Sequence, residues 1–172
     1  SAVRSSTGLS HPSPIAGDAS SVLAITIQAL LQGQDPAAAI ETAHSFAESS
    51  GLSAEIVETI ADATNPLGNS REPRDPPNAV KAVRTALFHL ATARSYDEAV
   101  EAAIDSSPFS DVLPAVVGSV VGARFGYHGI PQRLLNLVIS CRPMEGLTKY
   151  PRPAMYWATD ALAMAEALLA TR

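Results

Sequence analysis

The chain has 172 residues, enough for one domain with a true hydrophobic core. Its 47% hydrophobic content is rich in alanine and only 5% aromatic, a composition that suits closely packed helices. A formal charge of −5 and an isoelectric point near 5.3 argue against nucleic acid or an anionic membrane as partner, and the lone Cys141 rules out an internal disulfide and fits a reducing cytoplasm.

Residues 1–18 hold one basic residue, Arg4, and no apolar core, so no signal peptide is expected. No apolar run approaches the ~20 residues that span a bilayer. Residues 20–31 are apolar on most sides and stop at Gly33, predicting a buried helix; 36–48 opens on Asp35-Pro36 and closes before Gly51, predicting a second. Ser53 caps a shorter helix with Ile56, Val57 and Ile60 inward. Residues 64–77 hold four prolines, Gly68 and mixed charge, which makes a long loop, either a solvated connection or part of a site. Helices are expected again at 78–92, 96–104, 111–125 and 131–138, then a proline-rich loop at 142–153 and a closing helix at 157–170. With no strand and no internal repeat, the pattern predicts an all-α fold, 1–172 forming a single helical domain.

Ser107-Pro108-Phe109-Ser110-Asp111-Val112 runs straight into the most apolar of these helices. Val112, Leu113, Val116, Val117, Val120 and Val121 share one face. Gly118 and Gly122, one turn apart, leave room for another backbone to come close. Proline inside a helix costs roughly 3 kcal/mol, so Pro114 must lie in the first turn, with Ser110 or Asp111 as N-cap. Asp111 therefore sits at a helix N-terminus, either as a cap alone or as part of a site.

From Asn78 to Leu135 the order of short motifs resembles the C-terminal part of the ADP-ribosylglycohydrolase family, the helical hydrolases that include dinitrogenase-reductase-activating glycohydrolase. The stretches that carry the likeness are Thr85-Ala86-Leu87-Phe88, Tyr96-Asp97-Glu98-Ala99, the 107–112 segment, Gly118 to Gly126, and Ile130-Pro131-Gln132-Arg133-Leu134-Leu135. Near the start, Ser10-His11 resembles the family's Thr-His element, with Ser10 in the place of the threonine. The resemblance implies a compact orthogonal helical bundle, cleavage of ADP-ribosyl N- or O-glycosidic bonds, and two magnesium ions that orient the ribose and activate water. It implies Asp111 as the catalytic residue, Asp111 and Ser110 as metal ligands, and His11, Arg124 and Phe125 at the ADP-ribose. For Phe125 core packing is the competing reading, and for His11 an ordinary loop histidine.

The departures are chemical. The family's Gly-Asp-Thr-Asp-Thr falls on Pro108-Phe109-Ser110-Asp111-Val112, so only the second aspartate is kept, and Phe109 and Val112 offer magnesium no oxygen. No Thr-Asp-Asp occurs anywhere, and the first acidic residue is Asp18. The chain, which opens on Ser1, reads as the second half of a family member: a processed chain, or a subunit whose partner chain supplies an N-terminal half. His44, His89 and His128 show no zinc-site spacing. Two functions are expected from this pattern: an ADP-ribosyl hydrolase of this type, or a non-catalytic relative that binds ADP-ribosyl groups or a protein partner, a pseudoenzyme.

Overall fold

A computed structural model describes residues 2–63, 78–106 and 112–170. The predicted loop 64–77 and the segment 107–111, with Ser110 and Asp111, lie outside the described residues. The chain forms two compact units, residues 1–129 and residues 130–172, and among the described residues both are helical, without a strand.

The first unit is built from α1 (Ala2–Gly8), α2 (Pro14–Leu31), α3 (Pro36–Ser49), α4 (Ala54–Ala61), α5 (Ala79–Thr92), α6 (Tyr96–Ser106) and α7 (Val112–Gly129). Local chemistry sets the starts. The Asp35 carboxylate accepts from the Ala38 amide at 2.9 Å and caps α3, with Pro36 pre-set at the first position. The Asn78 side chain accepts from the Lys81 amide at 2.7 Å and caps α5. Ser53 precedes α4 as expected, but its hydroxyl makes no cap bond; its amide instead donates to Asp18 Oδ2 at 2.9 Å.

The central helix is α2, which packs against α1, α3, α4, α5 and α7. It starts six residues before the predicted 20–31 stretch, because Gly17 and Asp18 look like helix breakers in sequence. Asp18 is tolerated there, buried, because Arg4 of α1 and the Ser53 amide both donate to its carboxylate. Two more buried polar groups on this helix are satisfied by back-bonding: Ser21 Oγ donates to the Gly17 carbonyl at 2.8 Å, and Thr26 Oγ1 to that of Val22 at 2.9 Å. The extension corrects one expectation. At 18 residues and mean hydropathy 1.4, α2 is long and apolar enough to cross a membrane by length and composition, and 44% of it is buried inside this unit, as in a core helix.

Helices α5 and α7 lie side by side and run parallel. Lys81 and Ala82 at the start of α5 share a cavity with Val112 and Leu113 at the start of α7, while the end of α5 meets Arg124, far along α7. The short α6 makes the return between them. Leu87, Leu90 and Val83 from α5 meet Leu113, Val117, Val120 and Val121 from α7, with Ile56 and Ile60 of α4 completing the core. Two details of α7 differ from expectation. Val112 is exposed, not inward, because it belongs to the first turn at the rim of the cavity. The notch at Gly118 and Gly122 receives the Tyr96 ring rather than a backbone: a Cβ on Gly118 would lie 3.0 Å from the phenol oxygen, and one on Gly122 3.6 Å from the ring. The tyrosine hydroxyl, held among apolar groups, is raised above its ordinary pKa by burial. Gly126, at φ 69°, breaks the helix in a conformation that side chains avoid, close to the predicted end at 125.

His89 is buried on α5, and burial lowers its pKa below the ordinary 6.5, with Glu98 opposing. The unfolded chain therefore binds a proton at a pH where the folded one does not, so folding stability falls as pH drops below about 6.5. A His89→Gln variant removes this proton uptake. In urea unfolding at pH 7.5 and 5.5, the variant's stability relative to wild type is expected to improve at the lower pH; parallel losses in both would refute the assignment.

The second unit contains α8 (Gln132–Ser140), 3₁₀ turns at Ala154–Tyr156 and Ala158–Asp160, and α9 (Ala161–Ala170). The closing helix starts four residues later than the predicted 157, behind those turns. The 142–153 loop is held to its flanks: Arg142 donates to the carbonyls of Ile139 and Cys141 and lies over the Trp157 ring, and Trp157 Nε1 donates to the Arg152 carbonyl at 2.9 Å.

Candidate functional site

The N-terminal ends of α5 and α7 and the α1–α2 connection enclose a cavity of about 550 Å³, within the range of small-molecule sites. His11 and Ser13 form one side, Asn78 and Lys81 another, and Val112, Leu113 and Val116 the third. The floor is apolar, with Ile15, Ala19 and Leu23 from α2. His11, named from its likeness to the Thr-His element, therefore stands at the mouth of a cavity. Its Nδ1 lies 2.9 Å from the Ser10 hydroxyl, the residue in the threonine's place. A smaller hollow of about 370 Å³ flanks His11 on its other side, against Arg4 and Asp18, whose charges already satisfy each other.

Val112 lines the cavity, and Asp111 and Ser110 precede it directly in sequence, although both residues are outside the described part of the structure. Arg124 and Phe125 are elsewhere. Twelve residues separate Val112 from Arg124, about 18 Å along the helix at ~1.5 Å per residue, and neither Arg124 nor Phe125 lines the cavity. Arg124 Nη1 donates to the Leu90 and Ala93 carbonyls at 2.7 and 2.8 Å, closing the C-terminal end of α5, and its guanidinium lies 4.5 Å from the centre of the Phe125 ring. Arg124 and Phe125 thus stack on each other at one end of the helix pair, and His11 sits at the other.

The donor set can be tested against magnesium. A hard dication needs about six oxygen ligands, most of them carboxylates, hydroxyls or water. The described residues lining the cavity include no aspartate or glutamate, and among the described residues no three His, Cys, Asp or Glu side chains cluster. Lys81 contributes to the wall, but its Nζ is fully buried and does not open on the cavity. On the described side this donor set does not fit a two-magnesium centre.

A family model for ADP-ribosylglycohydrolase matches residues 1–170, nearly the whole chain, including the stretch that precedes Asn78. No curated protein and no solved structure matches the chain significantly.

Proposed function

Because the chain belongs to the ADP-ribosylglycohydrolase family, we propose that it binds an ADP-ribosyl group in the cavity beside His11 and does not cleave it with its own residues. The observation that carries this reading is the composition of the cavity wall: a size and apolar floor that suit a nucleotide-like ligand, the His11 imidazole, and no described carboxylate to hold a metal. Water attack on a glycosidic bond needs a group that takes its proton and a positive centre that orients the ribose. Along the motif that performs this in the family, Phe109 and Val112 bring hydrocarbon where oxygen ligands would stand, leaving Asp111 as the single carboxylate. Ligand recognition makes no such demand, since shape, apolar contact and a few polar groups suffice.

Calorimetric titration with magnesium or manganese tests the reading. Only heats of dilution are expected; tight binding of two ions would restore the hydrolase reading, with Asp111 and Ser110 as ligands.

A further inference from the structure

We infer that the second unit is a self-association surface, through which two copies of the chain pair. None of its described residues is buried, so its apolar side chains form no core of their own. A unit of about forty residues needs a disulfide, a metal or association when it lacks a core. Cys141 has no second cysteine to pair with, and no three His, Cys, Asp or Glu side chains cluster among the described residues, which leaves association. The closing helix carries the same message. In its ten residues α9 has one charge, Glu166, and it buries none of the apolar rest. A helix that is apolar nearly all round is ordinarily a covered one.

Area and charge select a second copy as the occupant. Leu147, Tyr150, Met155, Tyr156, Leu168 and Leu169 are each between 65% and 81% exposed. Together they offer on the order of 1,000 Å² of apolar surface, and a stable interface takes about 800 Å² from each partner. The charges in the same stretch are of both signs and in a fixed order. Lys149 and Arg152 stand before the 3₁₀ turns, Asp160 and Glu166 at their end and beyond; all four are exposed, and none is in an ion pair among the described residues. A two-fold pairing with the two segments antiparallel sets the basic end of one copy against the acidic end of the other, twice over. A surface of one sign would repel its own copy; this one matches it.

Sedimentation equilibrium of the full chain across the micromolar range tests the inference, with circular dichroism to confirm that each variant is folded. Wild type is expected to reach twice the 17.9 kDa chain mass. Met155→Glu and Leu169→Glu, at two exposed apolar positions, should each raise the dimer dissociation constant about tenfold or more. Two charge variants test the pairing itself and leave the apolar side chains intact: Lys149→Glu with Arg152→Glu, and Asp160→Lys with Glu166→Lys. Each alone should dimerise at least tenfold more weakly than wild type, because like charges then face each other. Mixed in equal amounts, the two should form a heterodimer about as tight as the wild-type dimer, since every contact again joins opposite signs. A wild-type chain that stays monomeric throughout would overturn the inference; protection of the second unit's amides from hydrogen exchange in that monomer would mean that the chain itself covers the surface. A dimer indifferent to Met155→Glu and Leu169→Glu would use another face and overturn it as well. Charge variants that weaken the dimer but do not rescue each other on mixing would refute the antiparallel pairing of two copies.

Discussion

Replacing Arg124 with methionine is expected to lower the unfolding free energy by about 2–3 kcal/mol, and the melting temperature by roughly 5–10 °C, while leaving ADP-ribose affinity within about twofold of wild type. The stability effect follows from what the guanidinium touches. Its Nη1 donates to the carbonyls of Leu90 and Ala93, two buried residues at the end of α5, where the last carbonyls of a helix have no partner of their own. Hydrogen bonds from a charged donor contribute about 1.5–3 kcal/mol each, and the half-buried position of Arg124 holds the sum toward the lower end. A cation there also complements the negative end of the helix dipole. Methionine keeps much of the aliphatic stem but makes neither bond. Lysine, with a flexible point charge in place of a planar fork, is expected to recover part of the loss. Affinity should not move, because the cavity lies at the opposite end of the helix pair. A large loss of ADP-ribose binding by folded Arg124→Met would place Arg124 at the ligand, as the family resemblance implies.

The second large effect concerns the notch where α6 meets α7. Gly118→Leu is expected to cost about 1–3 kcal/mol, because a Cβ alone already falls 3.0 Å from the Tyr96 hydroxyl and the rest of the leucine has nowhere to go. The clash has an identifiable partner, so it also has a rescue. Tyr96→Ala removes the ring that fills the notch and is destabilising by itself through the cavity it leaves. In the double variant the leucine occupies that space, and the combined loss in chemical denaturation should be well below the sum of the two single losses. Strict additivity would mean that Tyr96 and Gly118 do not share the contact described here. The same packing predicts that one tyrosine ionises above the ordinary range in an ultraviolet titration of the folded protein, a signal that should vanish in Tyr96→Ala.

The elements that could be read from sequence were those whose signals are local. Asp35-Pro36 marks the start of α3 by chemistry confined to four residues, and the valine pattern with Pro114 bounds α7 in the same way. The family itself was legible from the order of short motifs, and the all-α fold from helical periodicity without strand alternation. What was not legible depended on groups far apart in the chain. The start of α2 is hidden by Asp18, which looks like a helix stop until Arg4 and the Ser53 amide, 35 residues away, are placed around it. The glycines of α7 announce a close approach without saying what approaches; it is a side chain, Tyr96. The site divides along the same line. His11 is carried by a motif and lines the cavity, whereas Ser13 and Asn78, which line it too, have no motif and come together only in the fold. The resemblance places Arg124 at the ligand, and its hydrogen-bond partners in the fold are the Leu90 and Ala93 carbonyls, which no motif announces.

The central claim is that this family scaffold binds an ADP-ribosyl group without cleaving it. The most direct test incubates the chain with an ADP-ribosylated arginine or serine peptide in the presence of magnesium, measuring peptide binding and released ADP-ribose in the same samples. Saturable binding with release no faster than in protein-free buffer is the predicted result. Magnesium-dependent release that saturates with peptide and disappears in Asp111→Ala would contradict the account and make the chain a hydrolase.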